Sequence, residues 1–339
     1  MLDQQLADAA TLTFSEFPPT TYEEWRKVVN EFLKGAPFEK RLITKTYEEI
    51  DLQPMYRRED IAGLPHLDSL PGFAPYLRGT SPLGYATQSW DVAQELPYAT
   101  PEEFNTALHA DMSRGQNAVN LVLDYPTLSG TDADQANIDE VGKGGLSISS
   151  VADLAKALDG VTFTALLAAL AQQQGKPLAK LHGAIGMDPL GQLACDGKLP
   201  RDLDSIYDVM AQLTTWAATN APQLQTITVQ GHPYHNGGAS ATQELAFTLA
   251  TMVEYVRTMQ KRGLSVDDIA PRIRFSLSVG THFFIEIARL RVARLLWAKI
   301  VKAFGGSNQA QKMSLHARTS AWNQTVYDPY VNLLRATTE

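Results

Sequence analysis

His232-Pro-Tyr-His235, followed by Gly237-Gly238, is the densest group of side chains able to do chemistry in this chain. Two imidazoles and a phenol can act as acid, base or phosphate contact. The glycines let backbone approach a ligand closely, and the helix that follows offers N-terminal amides to an anion. The same cluster reads equally as a polar loop. A metal site is not expected, because His-x-x-His lacks a helical frame here and Pro233 stands between the imidazoles. Asp124, Asp188 and Glu95 are carboxylates at strand ends, fit for acid–base work or, more often for such residues, for capping the next helix. Gly142-Lys-Gly-Gly145 lacks the spacing that lets amides and lysine share one phosphate, and Gly183-Ala-Ile-Gly186 lacks the third glycine of a dinucleotide fingerprint. Cys195, the only cysteine, is expected to be inert and leaves no intrachain disulfide, which suits a reducing cytosol or an organelle matrix; the cytoplasm is the compartment expected.

These residues need strands that end beside one another. Buried-type strands are expected at Val119–Asp124, Leu181–Ile185, Ile227–Gly231, Ile273–Val279 and Ser314–Arg318. Helices are expected between and around them, at Pro101–Ser113, Val151–Leu158, Thr164–Gln174, Ser205–Ala218, Ala241–Arg262, Thr281–Phe304 and Tyr327–Arg335. Pro101 after Thr100, with Glu102 and Glu103, is a sound helix start. Strands that each feed a helix imply right-handed crossovers and a parallel sheet, with chemistry at the strands' carboxyl ends. On the long helix after Gly280, Phe284, Ile287, Leu290, Leu295 and Leu296 read as core, and Arg289, Arg291 and Arg294 as its solvated or partner-facing side. Residues 1–80 differ. A helix at Tyr22–Leu33 leads into a proline-punctuated arm, Thr44–Tyr76, that cannot bury itself and lies on a domain, on a partner or free as a linker.

With 339 residues, 44% of them apolar and 19% charged, the chain can bury a large core. A formal charge of −8 without a basic run argues against nucleic acid, and no apolar stretch is long enough for a membrane span. The first residues lack the basic and apolar regions of a secretory signal.

Segments Tyr76–Asn105, Gly115–Asp134, Gly237–Arg257 and Ala270–Val301, the last containing "FFIEIARLRVARLLWAKIV", resemble the methylmalonyl-CoA mutase family. Phe17–Tyr56 is similar in wording to the small subunit of heterodimeric members. The resemblance implies a (β/α)8 TIM-type barrel over residues 81–339 that threads acyl-CoA along its axis, behind an N-terminal arm at 1–80. Leu158-Asp-Gly160 runs almost directly into the next helix where the family has another strand, so an incomplete barrel is expected. A C-terminal cobalamin-binding domain and the Asp-x-His-x-x-Gly motif are not present in the sequence, so adenosylcobalamin is assigned to a partner and none to this chain.

Mapped through the resemblance, the acyl-CoA cleft comprises Tyr85, Gln88, Glu95, Asp188, Asp196, His232, Tyr234, His235 and Arg272. Glu95 stands where catalytic members have a tyrosine, Gln88 replaces a CoA-contacting arginine, and Gly186 and Asp196 replace a glutamine and an arginine that touch substrate. Pro233 falls on the histidine that bonds the thioester carbonyl, unless a shifted loop brings Tyr234-His235 there; Arg272 is retained. Acids at Glu95 and Asp196 are expected to repel a dianionic acyl thioester. The implied role is a non-catalytic, stabilising subunit in a heterodimer with a catalytic large subunit, or in a homodimer. The alternatives are an acyl-CoA-binding half working with a separate cobalamin subunit, and a CoA-ester carrier or sensor.

Overall fold

The computed structural model describes residues 19–87, 89–159 and 177–338. Gln88 and the expected helix Thr164–Gln174 lie outside the described residues. The chain divides into two compact units that meet in sequence between Leu64 and Pro65.

In the first unit, Thr21 caps α1 (Tyr22–Phe32) by accepting from Glu24 N, while Glu24 Oε2 accepts from Thr21 N at 2.8 Å. Two orphan amides are thereby satisfied reciprocally. Phe38 opens α2 (Phe38–Leu42) and is buried beneath the Trp25 ring edge and the Arg26 guanidinium, 4.0 Å from its centroid. The arm that follows is not fully extended: β1 (Thr44–Lys45) pairs antiparallel with β2 (Asp51–Leu52).

The second unit runs α3 (Pro101–Met112), α4 (Tyr125–Ser129), α5 (Val151–Ala157), β3 (His182–Met187), α6 (Pro189–Asp196), α7 (Leu203–Asn220), β4 (Gln223–Gln230) and α8 (His232–Asn236). It continues through α9 (Ala241–Lys261), α10 (Val266–Ile269), β5 (Ile273–Val279), α11 (Phe283–Ala303), β6 (Ser314–Thr319) and α12 (Val331–Thr338). β3 to β6 form one four-stranded sheet in chain order, every pair parallel. The strand expected at Val119–Asp124 is reduced to single parallel bridges, Asn120 with Glu95 and Leu123 with Leu146. Two parallel neighbours thus recur before the main sheet, but a closed ring is not among the described pairings. Among the described residues no helix is long and apolar enough to cross a membrane.

One sheet face is apolar and helix-covered. Ile227, Val229, Ile273, Phe275 and Leu277 pack with Met252, Tyr255, Met259, Trp297 and Val301, and the Phe275 and Trp297 rings meet edge-on at 5.0 Å. A smaller core joins Leu96, Phe104, Leu108, Leu146 and Leu154.

The buried stripe of α11 differs from the expected one. Glu286, Arg289, Ala293, Trp297 and Val301 are buried at helical spacing, while Phe284 is 81% exposed and Ile287 lies largely in solvent. The stripe opens with two ionic residues, so hydrophobicity alone sets the helix in the wrong phase. Arg289, expected on the solvated side, belongs to the interior because carboxylates wait for it there.

Candidate functional site

The other face of the sheet is polar. Arg274, Ser276 and Ser278 on β5 stand in register with Ser314, His316 and Arg318 on β6, and Thr228 and Gln230 on β4 continue the row. Alternate residues share a face, so His316-Ala-Arg318 presents imidazole and guanidinium together. Neighbours bond across it: Arg274 Nε donates to Gln225 Oε1 at 2.8 Å, and Ser276 Oγ and His316 Nδ1 are 2.9 Å apart. At the carboxyl end Arg318 Nη2 donates to Glu95 Oε2 at 2.8 Å.

His232 begins α8 rather than sitting in a loop, with Nε2 3.5 Å from Arg318 Nη1. Burial, and then the field of Arg318, push its pKa down to about 4. It is therefore a neutral imidazole at pH 7, accepting at Nε2, and its Nδ1 is buried without a partner among the described residues. His235 Nε2 lies 2.7 Å from Ser320 Oγ. Its Nδ1 is 3.3 Å from Glu244 Oε2, close enough for an ionic contact but off the angle of a hydrogen bond. Tyr234 OH bonds Thr251 Oγ1 at 2.8 Å, with its ring on Phe247.

Behind this helix lies a deeply buried ionic group. Glu244, 0% exposed, receives Arg289 Nη1 and the Ser278 amide, the latter at 2.9 Å; Arg289 Nη2 also serves Glu286 and the Ser278 carbonyl. Burial raises the Glu244 pKa, but the contacts of His235, Arg289 and Ser278 outweigh it and hold the carboxyl below its ordinary value. Gly231 is required beside it, since a Cβ there would collide with the Glu244 carboxylate.

Asp188 caps α6 and is buried. It accepts from Gly191 N at 3.0 Å, Gln230 N at 2.8 Å and Tyr255 OH. Asp124 likewise caps α4, accepting from Thr127 N at 2.9 Å and Gly142 N at 2.7 Å. Gly142-Lys-Gly-Gly145 is accordingly a packing turn: a Cβ at Gly145 would sit 2.6 Å from the Leu123 carbonyl carbon.

Of the expected cleft residues, the structure brings Glu95, His232, Tyr234 and His235 to the carboxyl end of the sheet, with Asp188 beneath as a cap. Asp196 is on the exposed end of α6, so solvent screens its charge. Glu95 is neutralised by Arg318. The expected surplus of negative charge on this face is therefore absent, and the repulsion of a dianion loses its cause. Tyr85 is 65% exposed and stands edge-on to Trp90. Arg272 precedes β5, at the opposite end of the strands, where Nη1 donates to the Pro222 carbonyl. A strand of its length separates it from the cluster, roughly 20 Å. Gln88 lies outside the described residues. Cys195 is exposed; burial and Asp196 raise its thiol pKa, which keeps it protonated and unreactive. Sequence reasoning missed Glu244, Arg289, Arg274, His316 and Arg318. The polar alternation of β6 was the available signal for the last two.

The neutral His232 has a pH consequence. Its unfolded pKa is near 6.5 and its folded pKa about 4, so the unfolded chain binds the proton first. Its contribution is intact above pH 6.5 and is lost as pH falls towards 4, about 2 kcal/mol of it between pH 7 and 5. Burial and the fields of Arg274 and Arg318 depress His316 too, which acts in the same direction. Urea unfolding at pH 7 and pH 5 is expected to show this loss in the parent and clearly less in His232→Gln; equal slopes would remove His232 from the account.

Among the described residues no group of three or more His, Cys, Asp or Glu is arranged to hold a metal ion. The strand-end imidazoles do not fit a cobalt ligand, because Ser320 and Glu244 flank His235 and Arg318 faces His232 Nε2.

Comparison with known proteins gives a match of residues 45–339 to the family described as methylmalonyl-CoA mutase. The chain is 34% identical over 341 residues to the methylmalonyl-CoA mutase large subunit of Streptomyces virginiae, covering 95% of this chain and 46% of that protein. It is 33% identical over 337 residues to the mutase of Rhizobium meliloti (strain 1021), covering 94% and 47%. Against the mitochondrial mutase of Homo sapiens it is 31% identical over 337 residues, covering 94% and 44%. The chain spans about half the length of the curated relatives it matches.

Proposed function

The chain belongs to the methylmalonyl-CoA mutase family, and from that premise we propose that it is a non-catalytic, stabilising component of a cobalamin-dependent mutase assembly. The observation that supports this role is that the strand-end side chains engage one another, the Nδ1 atoms of His232 and His235 excepted. Glu95 is engaged by Arg318, His232 faces Arg318, His235 lies between Ser320 and Glu244, and Tyr234 is bonded to Thr251. A general acid or base must present a proton or lone pair to substrate within hydrogen-bond reach, and here the partners are other side chains. Adenosylcobalamin and the isomerisation of methylmalonyl-CoA to succinyl-CoA are accordingly placed in a catalytic large subunit, with this chain as the small one of a cytoplasmic heterodimer. The wording of Phe17–Tyr56 supports the small-subunit assignment, and the N-terminal unit is the proposed contact region. The Glu95–Arg318 pair links the segment of the Glu95–Asn120 bridge to β6, which supports the (β/α)8 reading.

The test is an isomerase assay with adenosylcobalamin. The isolated chain is expected to give no turnover, and to co-elute with a catalytic mutase subunit while raising that subunit's melting temperature. Robust turnover by the chain alone overturns the proposal. An acyl-CoA-binding half of a related mutase is the second role, favoured by the polar sheet face. It requires saturable acyl-CoA binding with or without a cobalamin-binding partner, and fails if neither combination binds.

A further inference from the structure

Gln116 carries a buried amide oxygen that no donor of the described residues reaches. The residue is 8% exposed, and its Nε2 donates to the Ala118 carbonyl at 2.7 Å, which leaves Oε1 as a fixed acceptor. Oε1 is shielded from solvent and has no partner among the described residues. Gln116 lines a groove of about 650 Å³ between segment 92–98 and the C-terminal end of α3, a size that suits a small ligand. Leu96 packs with Phe104 and Leu108 of α3, which sets the groove on the helix side of the segment, away from the polar sheet face. Its charged lining is acidic. Asp111 has a side chain 30% exposed, and its one ion-pair partner among the described residues is Arg114, 78% exposed and 3.8 Å away, too far for a hydrogen bond. Glu95 borders the groove with its carboxylate engaged by Arg318. No lysine or arginine lines it.

We propose that this groove binds a small organic cation, a guanidinium or primary ammonium on a short apolar stem, with its head on Gln116 Oε1 and the Asp111 carboxylate. The chemistry of the lining selects that class. Both head contacts are acceptors only, because the Gln116 amino group is committed to Ala118 and an ionised carboxylate has no proton to give. An anion would meet repulsion there, a neutral alcohol offers one donor, and a guanidinium or ammonium offers several. A buried acceptor left without a donor is unfavourable, and a charge-assisted bond from the ligand relieves it. The loose surface contact with Arg114 is cheap to exchange for a better one. Val92, Leu96 and Pro97 give the stem an apolar wall, and the partly exposed Tyr98 ring offers its face to the cation. The site does not depend on whether the chain binds or turns over an acyl-CoA.

The experiment is calorimetric titration of the full chain at low ionic strength with butylguanidinium, butylammonium and acetyl-arginine amide, each against butanol as the uncharged stem. At least one cation is expected to bind with a Kd of roughly 1 mM, and butanol at least about tenfold more weakly. Tighter binding of acetyl-arginine amide assigns the cation to a protein side chain, and tighter binding of a butyl probe assigns it to a free amine or guanidine. Asp111→Asn keeps the shape, removes the charge and is expected to weaken binding at least about tenfold. Asp134→Asn, at an exposed acid outside the groove, leaves it unchanged; an equal loss there reduces the effect to overall charge and overturns the proposal. Unaltered binding in Asp111→Asn, or no cation bound up to about 50 mM, also overturns it. Should Asp111→Asn fail to fold, the parent decides: butanol binding as tightly as the cations overturns it.

Discussion

Arg289→Met is expected to lower the unfolding free energy by about 3–5 kcal/mol, enough to leave the chain partly unfolded at 37 °C. The guanidinium is 5% exposed and lies between Glu244 and Glu286, which are themselves buried. Those two carboxylates also receive the Ser278 and Gly280 amides at the end of β5, so the cluster fastens α9 and α11 to that strand. Methionine fills the volume but leaves two buried acids without a counter-charge, and an uncompensated buried charge costs far more than a missing contact. The sign of the pH response should then reverse. In the parent, Glu244 titrates below its ordinary value and stability falls with pH. In the variant, two unpaired acids are held above their ordinary values, so stability recovers as pH falls and they become protonated. Adding Glu244→Gln and Glu286→Gln to Arg289→Met should restore much of the loss, since replacing a whole buried ionic group is often near neutral. Chemical denaturation of the parent and both variants checks this; a loss below about 1 kcal/mol in Arg289→Met would show that the cluster is hydrated and dispensable.

The long βα unit was legible because its strand and helix are dictated by local pattern. Ile273–Val279 alternates apolar with polar residues, Gly280 ends it, and α11 follows as expected. β4 and β6 were legible for the same reason. The phase of α11 was not. Periodicity arguments score apolar residues, and the inner stripe begins with Glu286 and Arg289, whose burial is favourable only because Glu244 arrives from α9, distant in sequence. The N-terminal parallel segments failed differently. Val119–Asp124 has the composition of a strand, yet a strand needs continuous neighbours, and here it meets them at single positions. In the site, residue type located the strand-end polar cluster through His232 to His235, but not who would satisfy whom. Glu95 reads as a repelling acid until Arg318, at the far end of the chain, is placed beside it. Sequence-distant charge compensation is therefore what a reading of substitutions one at a time cannot supply.

Asp188→Ala is expected to cost about 3–5 kcal/mol, and it separates a cap from a catalytic acid. Asp188 is a carboxylate at the end of a parallel strand, where catalytic groups of α/β enzymes lie, and burial raises its pKa. Both properties would suit a general acid. Its oxygens are nevertheless occupied: Gly191 N starts α6, Gln230 N ends β4, and Tyr255 OH comes from α9 in the core. Each becomes a buried donor without an acceptor when the carboxylate is removed, and such donors cost about 1–3 kcal/mol apiece before relaxation. Asp188→Asn keeps one carbonyl oxygen but turns an NH2 towards a donor, so it should lose roughly half as much. The decisive comparison is made on folded Asp188→Asn at low temperature. If the carboxylate is a cap, any acyl-CoA binding by this variant matches the parent's while its urea midpoint drops. If it is an acid serving a ligand, stability is nearly unchanged and binding changes in strength or in pH dependence. Three donors converging on one buried carboxylate from three elements predict the first pattern, because both oxygens are already engaged by the fold.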